Sequence, residues 1–158
     1  MLPIERPHRL ERDDYEGFLC CTFTCCIENR KNFFVTPEIF SIFESKLRHV
    51  LEKNHCGAHV YLFMPDHLHI LAEGKSEEAD LWKMIVDFKQ QTGYWLSKNG
   101  NGIRWQKDFY DHILREEEDV TKHMAYILDN PIRAGLARDW RDYLYKGSTL
   151  YNLHELEI

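Results

Sequence analysis

The sequence predicts an α+β fold, and two observations support that class. Its 158 residues, 44% of them apolar, are enough for one domain with a buried core. Its predicted elements follow the order strand, helix, strand, strand, helix, strand. This β-α-β-β-α-β order is that of a ferredoxin-like (RRM-like) sandwich with an antiparallel sheet, here with an appended C-terminal helix. We predict a single domain over 1–158, with a polar arm at 1–16 and a mixed tail at 141–158.

Four β-prone runs supply the predicted strands. Phe18–Ile27 reads FLCCTFTCCI, an apolar run typical of a strand buried on both faces. The segments 58–64 and 68–73 are predicted to form two strands joined at Pro65-Asp66. The fourth strand is predicted within 103–114, which is rich in aromatic and β-branched residues.

Cap residues and helical spacing predict the helices. Thr36 followed by Pro37 begins the first, predicted over 37–53, and Ser76 is predicted to cap the second. A third helix is predicted over 116–129, stopped by Asn130-Pro131, with a short helix near 132–136. The apolar positions with helical spacing in the first of these helices are Ile39, Phe40, Phe43, Leu47, Val50 and Leu51.

Composition limits the compartment and the classes of function. No apolar run approaches the roughly 20 residues of a membrane-spanning helix, and the first residues hold no apolar signal core, so we expect a cytoplasmic protein. The net charge of −6 argues mildly against nucleic-acid binding. The five cysteines are predicted to be buried free thiols; a metal or redox role is the alternative.

The segment MPDHLHIL, residues 64–71, holds the strongest candidate site. Residues two apart on a strand project to the same side, so His67 and His69 are predicted to stand side by side. Two neighbouring imidazoles can bind one divalent ion. The alternative interpretation is a pair of ordinary surface histidines.

A second candidate lies in the third predicted helix. Val120, Met124, Ile127 and Leu128 form its apolar arc. The opposite side carries Asp119, His123, Tyr126 and Asn130. Tyr126 and Asn130 are therefore predicted to face a site, although a half-buried packing tyrosine is the alternative. A histidine pair, an amide ligand and a phenol together indicate metal-assisted phosphoryl transfer, in which the phenolate attacks phosphorus.

Three segments carry a resemblance to a known family. They are YLFMPDHLHILAEG, RWQKDFYDHILREEED and HMAYILDNPIRAGL. In this order and spacing they resemble the signatures of single-tyrosine HUH transposases, in the insertion-sequence-200-like or REP-associated branch. The resemblance spans roughly residues 18–140.

The resemblance implies a role for each matching residue. His67 and His69 match the metal ligands, Asn130 matches the third ligand, and Tyr126 matches the nucleophile. The implied reaction is nicking and strand transfer of single-stranded DNA bearing a hairpin or repeat, through a 5′-phosphotyrosine intermediate. The implied cofactor is Mg²⁺ or Mn²⁺, although imidazole ligands suit Mn²⁺ or zinc better. Both monomers and homodimers fit this family.

The resemblance leaves open which tyrosine attacks and which residues bind DNA. Tyr110, beside Asp111 and His112, is the rival nucleophile, and we favour Tyr126 because it shares a helix with Asn130. Cations that bind phosphates and aromatic rings that stack on bases are typical of single-strand binding. The candidate cations are Arg104, Lys107, Arg115 and Arg133, with Arg6, Arg9 and Arg12 in the arm, and the candidate aromatic residues are Trp105, Phe109 and Tyr110.

The sequence leaves three alternative functions to compare with a transposase. A noncatalytic or domesticated module that reads DNA hairpins is the main alternative. A histidine-triad nucleotide hydrolase is disfavoured because Leu71 stands where its next histidine is needed. A zinc hydrolase lacks a general-base glutamate at helical spacing from either histidine.

Overall fold

The structure, a computed structural model, describes residues 12–158 and contains a five-stranded antiparallel sheet. Its order is β4-β1-β3-β2-β5, so the two strands of the 56–74 hairpin and β1 form the centre. The strands are β1 Cys20–Cys26, β2 Cys56–Met64, β3 His67–Gly74, β4 Tyr110–Ile113 and β5 Lys146–Gly147. The first four confirm the predicted α+β, ferredoxin-like sheet. The tail adds β5 beside β2.

Within residues 12–158, four α-helices accompany the sheet: α1 Pro37–Lys53, α2 Leu81–Asn99, α3 Val120–Leu128 and α4 Asn130–Arg133. The first has the predicted bounds, and the Thr36 hydroxyl accepts a hydrogen bond from the Ile39 amide as its N-cap. No described helix has the length and apolar character needed to cross a membrane.

Two predicted helix starts were wrong. The carboxylate of Asp80, not the Ser76 hydroxyl, caps α2 by accepting from the Lys83 amide, and Ser76 instead accepts from Glu78 in the preceding turn. Asp119 caps α3, so this helix begins at Val120 rather than at residue 116. For α2, the later of two cap-type residues begins the helix.

The short helix and the arm also differ from the prediction. The short helix α4 covers 130–133, earlier than predicted, because proline is accepted in its first turn. Of the predicted arm, residues 12–15 form a 3₁₀ turn whose Tyr15 is fully buried beside Trp82, with ring centroids 5.2 Å apart. Residues 1–11 lie outside the described part of the chain.

The sheet separates two apolar cores. Side chains alternate along β2, so Tyr61 and Phe63 face α1 and α2, whereas Leu62 and Met64 face α3. The second core is completed by buried tail residues, namely Trp140, Tyr143 and Leu153. The predicted appended helix therefore packs on the face opposite α1 and α2.

An aromatic cluster dominates the first core and gives a stability prediction. The ring of Phe34, which is fully buried, lies 5.0–5.7 Å from those of Phe33, Phe43, Phe63 and Trp105. Phe34→Ala is expected to lower the free energy of unfolding in urea by about 3–5 kcal/mol, because it leaves a cavity. Phe18→Ala, at a site 71% exposed, is the control and is expected to change it by less than about 0.5 kcal/mol. Equal effects would contradict this packing.

Candidate active site

The two histidines of β3 face each other. Their Nε2 atoms are 3.1 Å apart, and the rings are perpendicular with centroids 4.7 Å apart. Strand periodicity places both side chains on the α3 side of the sheet, while Leu68 and Ile70 enter the opposite core. The predicted side-by-side arrangement of His67 and His69 is thus present.

Each imidazole is held through its other nitrogen. His67 Nδ1 lies 2.6 Å from Asp66 Oδ1, and His69 Nδ1 lies 3.0 Å from Thr24 Oγ1. An Nδ1–H that donates to oxygen leaves the Nε2 lone pair free, which is the tautomer that metal-binding histidines adopt. Two such lone pairs 3.1 Å apart repel each other unless a cation lies between them.

Burial keeps both imidazoles neutral. It lowers the pKa of His67, although the Asp66 carboxylate opposes the shift. It lowers the pKa of His69 to about 3, assisted by His67 and by the guanidinium groups of Arg133 and Arg30. Both rings therefore offer lone pairs at neutral pH, so this donor set fits a divalent ion.

Arg30 completes the support of this pair. Its Nε donates to Asp66 Oδ2 at 2.9 Å, and its Nη2 lies 3.3 Å from His67 Nδ1. Burial opposes ionisation of Asp66, yet the hydrogen bonds from Arg30 and His67 hold the pKa of this carboxylate below its ordinary value. Asn29 and Arg30 have φ of 62° and 53°, so a left-handed turn brings the guanidinium back over the strand.

A cavity of about 480 Å³ joins the histidines to the tyrosine helix. His67, His69, Tyr126 and Asn130 all line it, so the structure brings the four predicted catalytic and metal residues together. Tyr126 is 65% exposed, whereas Met124, Ile127 and Leu128 on the other side of α3 are buried. The predicted polar and apolar sides of this helix are confirmed.

Asn130 begins α4, separated from the end of α3 by one residue, so it does not share the helix of Tyr126 as predicted. Its Nδ2 donates to the Ile127 carbonyl at 3.0 Å, so the amide nitrogen is used within the helix pair. The side-chain oxygen is the atom of this amide that suits a metal.

Tyr110 and His112 line the same cavity from β4. The His112 side chain is half exposed, and its Nε2 lies 2.9 Å from Glu118 Oε2. His123 Nε2 lies 3.0 Å from that same oxygen. Glu118, which the sequence analysis did not select, thereby connects β4 to the first turn of α3.

Arg133 lies against the candidate nucleophile. Its guanidinium carbon is 4.3 Å from the centre of the Tyr126 ring, and its Nη1 donates to Asp129 Oδ2 at 2.6 Å. One cation is therefore held beside the phenol, in a neighbouring cavity that Tyr126 also lines.

Apart from Tyr110, the other predicted DNA contacts that the structure describes are not among the residues lining the cavity of the imidazole pair. Arg104, Lys107 and Arg115 are exposed and are absent from the described residues that line it. Trp105 and Phe109 are 8% and 7% exposed and pack in the aromatic core, so the prediction that their rings stack on bases was wrong. Arg6, Arg9 and the side chain of Arg12 fall outside the described part of the chain.

Asp66 gives a prediction about metal affinity. Asp66→Ala is expected to weaken divalent-ion binding about 10- to 100-fold, because it removes the acceptor that orients His67. Asp66→Asn keeps an acceptor oxygen and is expected to retain most of the affinity. Titration calorimetry with Mn²⁺ measures both variants, and unchanged binding by Asp66→Ala would contradict this role.

Comparison with known proteins identifies the family of this chain and several relatives. The family model described as "Transposase IS200 like" matches residues 19–130. A REP-associated tyrosine transposase of Escherichia coli is 27% identical over 128 residues, covering 77% of this chain and 71% of its own. A Haemophilus influenzae protein provisionally given the same name is 25% identical over 134 residues, covering 78% of this chain and 76% of its own.

A solved structure shares the fold. It is a REP-associated tyrosine transposase bound to a REP hairpin, with a TM-score of 0.73 and 20% identity, covering 88% of this chain and 80% of that one. The sheet, the imidazole pair and the tyrosine helix, together with these relatives, define an HUH-type DNA-cleaving enzyme. The chain belongs to the IS200-like transposase family.

Proposed function

We propose that this transposase is a cytoplasmic enzyme that nicks and rejoins single-stranded DNA next to a hairpin, through a 5′-phosphate linked to Tyr126. The observation that carries the proposal is that the imidazole pair, Asn130 and Tyr126 line one cavity. One chain supplies all four residues, which supports action as a monomer.

In the proposed reaction the Tyr126 oxygen forms a bond to phosphorus and the P–O3′ bond breaks. The 3′ oxygen leaves as a hydroxyl, and the 5′-phosphate remains on the tyrosine. A 3′-hydroxyl that later attacks this phosphotyrosine releases the enzyme and joins the strands. A divalent ion, Mg²⁺ or Mn²⁺, held by His67, His69 and Asn130 would supply polarisation of the phosphate.

The protein supplies the electrostatics around this step. Asp66 and Thr24 hold the two imidazoles in the ligand tautomer before DNA arrives. Arg133 places a positive charge against the Tyr126 ring, where a phosphate must approach. Arg30, beside the imidazole pair, is a second positive charge at this site. Together with Arg133 it favours DNA binding here, although the net charge of the whole chain is negative.

The hairpin substrate is supported by the relatives. They are named for REP elements, and the protein of shared fold is bound to a REP hairpin. We infer that this chain binds a DNA hairpin with an adjoining single strand, the segment that enters the cavity.

The test is a cleavage assay on labelled hairpin DNA with a single-stranded flank. With Mn²⁺ or Mg²⁺ we expect a nicked product and a covalent species, and neither after chelation by EDTA. Fully double-stranded DNA is the control and should not be cut. Hairpin binding without any cleavage would favour the noncatalytic module instead.

A further inference from the structure

A second group of ligand-type atoms lies outside the cavity. Cys20 of β1, His59 of β2 and Glu73 of β3 converge on the α3 side of the sheet. His59 Nε2 is 3.3 Å from Glu73 Oε1 and 3.9 Å from Cys20 Sγ. One such atom from each residue lies within 4.8 Å of the others.

Strand register explains the convergence. Cys20 is the direct partner of Glu73 in the β1–β3 ladder. The register of β2 against β3 shifts between Ala58 and Val60, so the bulged His59 turns toward the same pair. The group lies four residues along β3 from His69, which is about 13 Å away.

The separations are compatible with the edges of a tetrahedral ion site. Zinc–sulfur bonds of about 2.3 Å and zinc–nitrogen or zinc–oxygen bonds of about 2.0–2.2 Å give ligand edges of about 3.3–3.7 Å in a tetrahedron. The Cys20–His59 separation of 3.9 Å is within the range of a sulfur hydrogen bond and is also close to such an edge.

The second nitrogen of His59 is also held. Its Nδ1 lies 2.7 Å from the Tyr151 hydroxyl, which can accept the Nδ1–H and leave the Nε2 lone pair toward Cys20 and Glu73. His59 is 6% exposed, so its ring is fixed in place. Glu73 is half-buried, which leaves an approach from solvent.

We propose that Cys20, His59 and Glu73 bind one zinc ion, with water in the fourth position. A thiolate with imidazole and carboxylate selects zinc over Mg²⁺ or Mn²⁺, the ions of the catalytic site. Binding releases the thiol proton of Cys20 to solvent and involves no redox change. The ion links three strands and, through Tyr151, stabilises the C-terminal segment.

The segment that this ion would stabilise is already attached to β2. The Ala58 amide donates to Thr149 Oγ1 at 2.8 Å, and Ser148 Oγ donates to the Ala58 carbonyl at 3.0 Å. Zinc is therefore expected to raise the melting temperature of the whole domain.

The test uses the full chain loaded with Co²⁺ as a spectroscopic substitute for zinc. Wild type is expected to show a thiolate-to-cobalt charge-transfer band, which one equivalent of Zn²⁺ removes. Cys20→Ser and His59→Gln should lose the band. Cys26→Ser is the matched control, since Cys26 projects from the same face of β1 near the other metal site, and it should keep the band.

Two further measurements separate this site from the catalytic one. The double variant His67→Ala, His69→Ala should still bind one Zn²⁺ by elemental analysis, and Zn²⁺ should still raise its melting temperature. Absence of the band in folded wild type, or a band that survives Cys20→Ser, would overturn the proposal. Because DNA cleavage with Mn²⁺ does not need this site, Cys20→Ser should cleave as wild type does.

Discussion

Tyr126→Phe is expected to abolish the covalent protein–DNA species and to lower nicking by at least about 1000-fold, since loss of a nucleophile removes the step itself. Hairpin binding should be retained, because this exposed side chain is not part of either core. Denaturing gels of labelled DNA measure the covalent species, and a binding titration measures affinity.

Tyr110→Phe is the matched control. Tyr110 lines the same cavity from the neighbouring strand, so the two variants each remove one hydroxyl from one site. We expect Tyr110→Phe to keep the covalent species. The reverse result, with the species lost only in Tyr110→Phe, would contradict the assignment of the nucleophile.

His69→Ala is expected to have the second-largest effect. Loss of a hydrogen-bonding partner of a metal ligand lowers metal affinity or activity by about 10- to 100-fold. Loss of the ligand itself should therefore lower nicking by more than about 100-fold. Excess Mn²⁺ should restore part of the rate if the remaining ligands still bind it. DNA cleavage at increasing Mn²⁺ concentration measures both effects.

His154→Ala controls for the removal of a histidine. His154 is exposed in the tail and lies in the 3₁₀ turn 153–155, away from the cavity-lining residues. It should cleave DNA as wild type does. Wild-type cleavage by His69→Ala at low Mn²⁺ would show that the imidazole pair does not bind the catalytic ion.

Local patterns were sufficient to predict most of the fold. Helical spacing and the Thr36-Pro37 cap gave α1 its observed bounds, and the order of elements gave the sheet. The start of α2 required tertiary information. Ser76 and Asp80 are both good helix caps. The choice depends on the backbone contacts of Asp80: its amide donates to the Asn54 carbonyl, and it forms an isolated β-bridge with Glu16.

The centre of the site was predictable because it depends on spacing over a few neighbouring residues. His67 and His69 share a strand face, and Tyr126 and Asn130 are about one helical turn apart. The role of Thr24 beside His69 could be found only from the β1–β3 register, which pairs these two residues. The position of the Arg30 side chain depends on the left-handed backbone conformation of Asn29 and Arg30. Local sequence does not predict this conformation for residues other than glycine.

The core aromatic residues and the His59–Glu73 pair also could not be placed from local sequence. Trp105 and Phe109 have the composition of a base-stacking surface, but burial is decided by packing partners far along the chain. His59 and Glu73 are 14 positions apart in the sequence and meet only because β2 bulges and pairs with β3. Such groups can be recognised once the sheet is assembled.

The most direct test of the central claim is peptide mapping of the covalent species. Wild-type protein is trapped on single-stranded hairpin DNA with Mn²⁺, digested with protease and nuclease, and analysed by mass spectrometry. We expect one nucleotide-phosphate adduct on the peptide that contains Tyr126, with a free 3′-hydroxyl on the released strand. An adduct on Tyr110, or a 3′-phosphate on the protein, would contradict it.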